Sequence, residues 1–379
     1  MLVAIAKEKI LFVINKAGFF ISHRLMVAVA AKAEGFDVHV AAPFDEDVEK
    51  IIEHGFHYHK IELDRKGQNP YNELKLFFCL FKLLAKLKPD IAHFITIKPI
   101  IYGGIAARFV KLKLVVMAIS GLGTVFINNS LKSKIRQILV LGLYKLAFRQ
   151  KCINTIFQNP YDQEFFVSKN LVKLKDSIII PGSGVDLSVY KVTPEPSPNV
   201  VVLMVSRLLI DKGVYEFARA ANELYLRGIK VEMRVIGDID TGSETSLSRE
   251  DVLKLSQIKN LNFLGYCDDI ASAYASSNIA CLPSYREGLP KSLIEASACG
   301  RPIVTTDAPG CRDAIVQEKT GLMVPTRNAN LLADALERLI VNPVLRQKMG
   351  VEARNFAEQK FSLTKVIEQH LNIYSKIRS

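Results

Sequence analysis

Residues 279–306, with the sequence IACLPSYREGLPKSLIEASACGRPIVTT, carry the pattern from which the fold can be predicted. The uncharged run Ile279–Pro283 is typical of a buried strand, and Pro302–Thr306 is typical of a second one. Between them, Pro290 suits the first turn of a helix and Gly300 suits its end. Two buried strands joined by one helix indicate a parallel β-α-β unit.

Two carboxylates flank the start of this helix. Glu287 lies in the loop before it, and Glu295 lies about one to two turns inside it. The first turn of a helix presents free backbone N–H groups and a positive dipole end, which suit a phosphate. One carboxylate would then reach groups beside that phosphate, and the other would reach groups further along the same ligand, as in a nucleotide sugar. Two Glu at this spacing also occur by chance on solvated helices, so the interpretation depends on the rest of the chain.

The alternation of strand and helix extends along the whole chain, which predicts doubly wound parallel sheets. Three prolines within residues 192–199 favour a linker there, and a second alternation starts directly after it. We therefore predict an α/β protein with two Rossmann-like domains, residues 1–192 and 199–360, facing a cleft. The last helix, residues 363–377, could pack back on the first domain.

Length and composition favour a globular protein of two domains. The chain has 379 residues, of which 49% are hydrophobic and 8% aromatic. Its most apolar stretches, residues 76–87 and 138–148, contain lysines and are too short to cross a membrane. The charged segment Lys7–Lys9 argues against a signal peptide, so a cytoplasmic protein is expected. The cysteines lack C-x-x-C or zinc-site spacing and are expected to be free thiols. They are Cys79, Cys152, Cys267, Cys281, Cys299 and Cys311.

The formal net charge of +12 is concentrated in the first half of the chain. Residues 1–190 hold 26 Lys/Arg and 16 Asp/Glu, whereas residues 191–379 hold 24 and 22. This asymmetry indicates an anionic surface or ligand as partner of the first half. Residues 74–88 and 131–151 place cations beside apolar residues at helical spacing, so both segments could lie on an anionic membrane. Amphipathic helices that cover a core would show the same pattern.

Polar residues and glycines follow the predicted strands of the second half, where open α/β sheets bind ligands. Arg207 and Lys212 follow the buried run Val200–Val205. They are candidate phosphate ligands, although two solvated surface cations would show the same pattern. Gly237 ends the next strand and could admit a ligand close to the backbone, or simply form a turn. Tyr266 follows a further strand and could line a base pocket, or simply mark the end of that strand.

Together these residues resemble the donor site of the retaining glycosyltransferases of family four, which have the two-domain GT-B fold. The residues that carry the resemblance are Arg207, Lys212, Gly237, the Glu287–Pro290 turn and Glu295. The likeness continues through Thr306–Asp313 and Gly321–Val324. The first half, through His93–Pro99 and Ile119–Gly123, resembles the branch that builds bacterial surface polysaccharides and glycans on undecaprenyl diphosphate.

The resemblance implies a role for each donor-site residue. Arg207 and Lys212 would hold the donor diphosphate and stabilise the charge that grows as it leaves. Glu287 would bind hydroxyls of the donor sugar, and Glu295 would bind the ribose. Retention would follow from attack on the face that the leaving group vacates, so neither carboxylate would act as in a glycosidase. The catalytic residues would be Arg207, Lys212 and Glu287, with the backbone of Gly288, Leu289 and Pro290 beside the sugar. Neither a metal nor a cofactor is implied.

The first domain departs from the family pattern at one point. Many members carry a histidine in a loop near the donor sugar, where this chain has Ser120-Gly121. Ser120 and His93 are candidates for substrate binding on that side, although an ordinary packed or solvated histidine would also explain His93. Gly18, after the first strand, is a candidate on the acceptor side or a turn residue. The apolar spacing from Ser22 to Gly35 predicts one helix. The histidines of residues 54–59 suggest a metal site, but no matching ligands follow them, which favours surface histidines.

The function predicted from the residues and the resemblance is a retaining sugar transfer. The donor would be a UDP-linked N-acetylhexosamine, and the acceptor a saccharide on undecaprenyl diphosphate at the inner face of the cytoplasmic membrane. A nucleotide-sugar epimerase on the same fold is an alternative from a second enzyme class. A basic nucleic-acid-binding protein is a third alternative. The chain shows neither interleaved aromatics nor a reading helix, so no nucleic-acid partner is expected.

Overall fold

The computed structural model describes residues 7–64, 69–122, 131–196 and 199–378, except for the side chains of residues 131–133. It contains two compact units. The first comprises residues 1–183 and 366–379, and the second comprises residues 184–365. Each unit holds one parallel β-sheet against which its helices pack. The predicted α/β class with two Rossmann-like domains is therefore confirmed.

The first unit has a seven-stranded sheet. Its strands are β1 (Lys9–Val13), β2 (Asp37–Ala42), β3 (His57–Lys60), β4 (Ile91–Ile95), β5 (Leu114–Ile119), β6 (Ile153–Phe157) and β7 (Ser177–Ile179). Their order is β3-β2-β1-β4-β5-β6-β7, and all ladders are parallel. The order reverses between β1 and β4, as in a doubly wound sheet.

Both faces of this sheet are buried, which explains its uninterrupted apolar strands. On β1, Ile10 and Phe12 face one hydrophobic cluster, whereas Leu11 and Val13 face the other. The helices that cover the two faces are α1 (Ala17–His23), α2 (Leu25–Ala33), α3 (Val48–Glu53), α4 (Pro70–Leu87), α5 (Gly104–Ala107), α6 (Leu131–Ala147) and α7 (Pro160–Ser168).

The segment Ser22–Gly35, predicted as one helix, belongs to two. Arg24 lies between α1 and α2 with a non-helical φ of −133°. Its guanidinium turns into the protein, where Nη1 donates to the His23 carbonyl at 2.8 Å. Full burial lowers the pKa of Arg24 to about 10. The side chain that ends α1 is thus part of the interior of the first unit.

The second unit has a six-stranded sheet. Its strands are β8 (Val201–Val205), β9 (Glu232–Ile236), β10 (Leu261–Phe263), β11 (Ile279–Leu282), β12 (Ile303–Thr306) and β13 (Gly321–Val324). Their order is β10-β9-β8-β11-β12-β13, again with parallel ladders throughout. Its helices are α8 (Val214–Leu226), α9 (Arg249–Leu255), α10 (Ile270–Ala275), α11 (Lys291–Ala298), α12 (Ala329–Ile340) and α13 (Pro343–Lys360).

The described part of the Pro-rich stretch packs on the second unit. Thr193 Oγ1 accepts a hydrogen bond from the buried Arg301 at 2.5 Å. Glu195 Oε2 accepts from Arg346 Nε at 2.8 Å and from the Asn278 side chain at 2.9 Å. These contacts make residues 192–196 part of the surface of that unit.

The last helix, α14 (Leu363–Tyr374), contributes to the core of the first unit. Val366, Ile373 and Tyr374 belong to the same cluster as Phe12. The Tyr374 ring meets the Phe12 ring edge-on, with their centroids 6.3 Å apart. α14 therefore covers part of one face of the first sheet, beside α1, α2 and α3.

Two sequence expectations concern the chain as a whole. All six cysteines are free thiols, and Cys281, Cys299 and Cys311 are buried. Within the described ranges, none of the helices combines the length and the apolar content that a membrane crossing requires.

Candidate active site

The candidate site begins where the strand order of the second sheet reverses. β8 and β11 are neighbours there, and the loops that follow them leave the same edge of the sheet because the strands are parallel. The two loops pack closely: Gly213 has a φ of 77°, and a Cβ there would lie 2.2 Å from the Pro283 carbonyl oxygen. Any larger residue at position 213 would push the loops apart.

Lys212 and Glu287 meet across this reversal point. Lys212 Nζ contacts Glu287 Oε1, and Ser284 Oγ donates to the same oxygen at 2.8 Å. The backbone also ties the loops, since the Asp211 carbonyl accepts from Tyr285 N at 2.9 Å, and Ser284 Oγ lies 3.0 Å from the same carbonyl oxygen. The side chains of Lys212 and Glu287 are only 15% and 12% exposed. A mostly buried cation and carboxylate are thus positioned together at the switch point.

A third loop supports Glu287 from the other side. Glu287 N donates to the Pro309 carbonyl at 3.0 Å. Gly310 has a φ of 81°, and a Cβ there would lie 2.4 Å from the Glu287 carbonyl oxygen. Its own N–H donates to Asp313 Oδ2 at 2.9 Å. Gly310 is a positioning residue that the sequence analysis did not single out, although its Pro-Gly dipeptide is typical of a turn.

Arg207 lies on the loop after β8 and pairs with Asp240. Its Nη1 lies 2.5 Å from Asp240 Oδ2, and about half of its side chain, 51%, is exposed. Nearby, Gly237 has a φ of 138°, and a Cβ there would lie 1.9 Å from the Ser206 carbonyl oxygen. The glycine therefore allows the loops after β8 and β9 to approach each other.

Tyr266 lies beyond the carboxyl end of β10, the edge strand. Its ring is largely exposed, and its hydroxyl donates to Asp268 Oδ1 at 2.7 Å. The neighbouring Gly265 carbonyl accepts from Gly237 N at 2.8 Å, so the two strand ends are joined. An exposed aromatic ring beside these strand ends offers a flat surface for a planar ligand group.

Glu295 lies on α11, and its side chain is buried. Its Oε1 accepts from the Tyr190 hydroxyl at 2.7 Å and lies 3.3 Å from Lys291 Nζ. Burial raises the pKa of this carboxyl group. Pro290 stands at the N-cap of α11, and its own side chain makes no capping hydrogen bond. That this helix start binds a phosphate stays a prediction from the sequence.

Gly288, Leu289 and Pro290, which join Glu287 to α11, are all buried. The Leu289 side chain packs in the core of the second unit, so only its backbone can serve a ligand. The supporting contacts of Tyr190, Ser284 and Asp240 were missed by sequence reasoning. The Tyr190–Glu295 and Asp240–Arg207 contacts join segments distant in sequence, whereas Ser284 reaches Glu287 within one loop.

Two protein-family models match the chain. The model described as "Glycosyl transferases group 1" matches residues 190–356, and the model described as "Glycosyl transferase 4-like" matches residues 9–159. The chain is therefore a glycosyltransferase, with a group 1 domain in its second half. The predicted family and enzyme class are confirmed, and the Lys212–Glu287 pair lies within the residues that the group 1 model matches.

Proteins similar to this glycosyltransferase are known in bacteria. One in Campylobacter jejuni, named N,N'-diacetylbacillosaminyl-diphospho-undecaprenol alpha-1,3-N-acetylgalactosaminyltransferase, is 29% identical over 380 residues, covering 96% of this chain and 98% of that protein. One in Escherichia coli, named UDP-Gal:alpha-D-GlcNAc-diphosphoundecaprenol alpha-1,3-galactosyltransferase, is 26% identical over 316 residues, covering 80% and 79%. The solved structure of Thermosynechococcus elongatus sucrose-phosphate synthase aligns over 98% of this chain and 99% of its own with a TM-score of 0.81 at 18% identity. That likeness supports the GT-B fold.

The first unit of the glycosyltransferase holds the other predicted site residues. Gly18 lies in the first turn of α1, where the N–H groups of Ala17 and Gly18 donate to Asp45 Oδ2 at 3.1 and 3.4 Å. A Cβ on Gly18 would lie 2.4 Å from Asp47 Oδ2. This helix start is thus capped by acidic side chains of the chain itself, which explains the glycine without a ligand.

Ser120 and His93 differ in their access to solvent. Ser120 follows β5 and is partly exposed, and its Oγ finds no hydrogen-bond partner among the described residues. Gly123, which follows it in the predicted motif, lies outside the described residues. His93 is fully buried under α14, with Nδ1 2.8 Å from the Tyr374 hydroxyl, and burial holds its pKa well below the usual value. His93 therefore presents no surface to a substrate, and the prediction that it binds one is not supported by its position.

Proposed function

We propose that this glycosyltransferase transfers an N-acetylhexosamine, with retention, from a UDP-sugar to a saccharide carried on undecaprenyl diphosphate. The observation that carries the donor half of this proposal is the Lys212–Glu287 pair at the reversal point of the second sheet. It offers a cation for a diphosphate and, beside it, a carboxylate for sugar hydroxyls. The names of the Campylobacter and Escherichia relatives support the acceptor half.

When the donor binds, its diphosphate replaces Glu287 as the partner of Lys212. Lys212 Nζ turns from Glu287 to a phosphate oxygen, which frees Glu287 Oε1 to accept from a hydroxyl of the sugar. Ser284 Oγ continues to donate to Glu287 and keeps its carboxylate oriented. Arg207, half exposed, adds a second cation for the leaving diphosphate. The charge that develops on the leaving group is thus stabilised by groups already in place.

Glu295 serves as an acceptor for ribose hydroxyls. Its Oε1 already accepts from one hydroxyl, that of Tyr190, in a nearly enclosed setting. Retention is supported by the name of the Escherichia relative, which describes alpha-1,3 transfer from UDP-Gal, an alpha-linked donor. Glu287 then accepts from Ser284 Oγ and a sugar hydroxyl, and Glu295 is held by Tyr190 and Lys291, so neither carboxylate is required as a nucleophile.

We further propose that α4 and α6 bring the enzyme to the membrane that holds its acceptor. Tyr71, Leu74 and Phe78 are exposed along one face of α4, and Ile135, Ile138 and Leu139 are exposed on α6. Both helices pack against residues 99–107, so their exposed faces belong to one side of the first unit. Cations accompany both faces. They are Lys75, Lys82 and Lys86 on α4, and Lys134, Arg136 and Lys145 on α6.

The charge distribution favours an anionic lipid surface over a protein partner. Residues 66–151 hold 15 Lys/Arg and two Asp/Glu. Exposed apolar side chains flanked by lysines insert at the boundary of headgroups and acyl chains, while the cations attract anionic lipids. A lipid-diphosphate acceptor is presented at such a surface.

The transfer is tested with UDP- and GDP-sugars against a short set of lipid-diphosphate-linked saccharides. We expect acceptor-dependent release of UDP and an alpha-linked product, with the linkage determined by NMR. Incubation with the donor alone should leave the sugar unchanged. An epimerised sugar formed without acceptor would contradict the proposal and favour the epimerase alternative.

Membrane binding is tested by co-sedimentation with vesicles that contain phosphatidylglycerol. Ile138→Ser should weaken binding about tenfold, because burying one such side chain is worth about 1.5 kcal/mol or more. Leu226→Ser is the matched control, since Leu226 on α8 of the second unit is 70% exposed, as Ile138 is. Equal losses in both variants, or equal binding to neutral vesicles, would contradict the membrane proposal while leaving the donor chemistry untouched.

A further inference from the structure

A cluster of histidines lies at the edge of the first sheet. His39 on β2 pairs directly with His57 on β3, the edge strand. Asp37 and His59 stand two residues from these partners, so the period of two along a strand places all four side chains on one face. No matching metal ligands follow residues 54–59 in the sequence. Asp37 and His39, which precede this segment, lie beside His57 on the neighbouring strand β2.

Asp37 joins the two paired histidines. Its Oδ2 lies 3.1 Å from His39 Nε2, and its Oδ1 lies 3.2 Å from His57 Nε2. The His39 and His57 rings stack with centroids 4.6 Å apart. The ligand atoms of Asp37, His39 and His57 all lie within 4.8 Å of one another.

These separations approach those of a metal site. Tetrahedral coordination with bonds of about 2.0–2.1 Å separates neighbouring ligand atoms by about 3.3–3.4 Å. The two nitrogen–oxygen distances observed here are a few tenths of an ångström shorter. Small side-chain rotations, without a change in backbone, would bring a cation between the three groups.

His59 supports the cluster from behind. His39 Nδ1 lies 3.0 Å from His59 Nε2. If His39 Nε2 binds a metal, its Nδ1–H can donate to His59 Nε2, which fixes the tautomer and the orientation of the ring. Ligating histidines usually have such a partner for their second nitrogen.

The cluster is also accessible. The His39 side chain is 8% exposed, Asp37 is 29% exposed and His57 is 63% exposed. His39 thus provides a rigid ligand, whereas His57 opens to solvent and leaves a path for a metal and a water molecule. His54, one turn away, instead directs its Nδ1 to the Lys50 carbonyl at 2.8 Å.

We propose that Asp37, His39 and His57 bind a divalent transition metal of the zinc class, with water as the fourth ligand. Two imidazoles and one carboxylate suit Zn²⁺, Co²⁺ or Ni²⁺ and disfavour Mg²⁺ and Ca²⁺, which prefer oxygen ligands. The bound ion links β2 to the edge strand β3. It therefore stabilises the folded first unit in proportion to its affinity.

The test uses the full-length protein without a histidine tag, freed of metal by chelation and titrated with Co²⁺. We expect one Co²⁺ per chain, with the strong visible absorption of a tetrahedral complex, and displacement by Zn²⁺. His57→Ala should abolish this absorption. His59→Gln should weaken binding about 10–100-fold, as loss of an outer-shell partner does. His54→Ala is the matched control and should change neither.

A thermal melt provides the second measurement. Zn²⁺ should raise the melting temperature of the wild-type protein and of His54→Ala, but not of His57→Ala. His57 is mostly exposed, so its loss should leave the fold intact, as circular dichroism can verify. Weak binding with an octahedral Co²⁺ spectrum, or equal binding in the His57→Ala and His54→Ala variants, would overturn the proposal. The cluster would then be a hydrogen-bonded His–Asp–His chain only.

Discussion

Lys212→Ala removes the cation that contacts Glu287 Oε1 at the reversal point of the second sheet. If Lys212 holds the donor diphosphate, the variant loses a group that stabilises the leaving charge. Removing one such donor costs about 3–4 kcal/mol of transition-state stabilisation, so kcat/KM should fall about 10²–10³-fold. The fall should appear mainly in kcat, because the charge on the diphosphate grows in the transition state.

The effect on stability should be smaller. Breaking a fully buried ion pair costs about 3–5 kcal/mol. Here the two side chains retain 15% and 12% exposure, and Ser284 Oγ still donates to Glu287. We therefore expect the free energy of unfolding of the second unit to fall by about 2 kcal/mol.

The assay is steady-state kinetics of UDP release with a lipid-linked acceptor, alongside thermal melts. Lys230→Ala, at an exposed position before β9, is the matched control and should change neither quantity. Glu287→Gln added to Lys212→Ala should recover part of the stability, because the uncompensated carboxylate is gone, but none of the activity. If Lys212→Ala lowers the melting temperature and leaves kcat/KM unchanged, the pair is structural and the reasoning is refuted.

Three further predictions follow from the described contacts. Gly237→Ala should lower the melting temperature more than Gly228→Ala does. A Cβ at position 237 would lie 1.9 Å from a backbone carbonyl oxygen, whereas a Cβ at position 228 would meet nothing within 4 Å. Equal shifts in melting temperature would contradict this account. Burial raises the pKa of Glu295, so the penalty for its buried charge is present above the folded-state pKa and is relieved as the pH falls through it. Glu295→Gln should therefore raise the melting temperature more at about pH 7 than at about pH 5, and a gain independent of pH would count against it. Tyr374→Phe leaves the buried His93 Nδ1 without its partner, which should destabilise the first unit by about 1–3 kcal/mol in urea unfolding, and a neutral result would contradict that role.

Much of the fold could be predicted from hydrophobic runs and punctuating residues. Pro290 and Gly300 mark the start and end of α11 to within a residue or two, since each is disfavoured inside a helix and favoured at that boundary. The break at Arg24 could not be predicted. Its side chain enters the interior only because the packed first unit encloses it, and the local sequence favours an unbroken helix.

The candidate site residues could be predicted because they follow strands, but the contact between Lys212 and Glu287 could not. Lys212 and Glu287 follow different strands, and their contact depends on β8 lying beside β11. That order is a property of the sheet. The burial of His93 could not be predicted for the same reason. This strand residue is covered by α14, a helix that lies far from it in sequence. The histidine cluster likewise needs the register between His39 and His57.

The return of α14 to the first unit has a consequence for synthesis of the chain. Residues 184–365 form one unbroken segment, whereas the first unit needs residues from both sides of it. On a ribosome, the second unit can fold as soon as its segment has emerged. The first unit has to wait with part of its apolar sheet uncovered until Val366, Ile373 and Tyr374 arrive. The N-terminal half is thus synthesised first but completes its fold last. The nascent enzyme is most prone to aggregation between these two events.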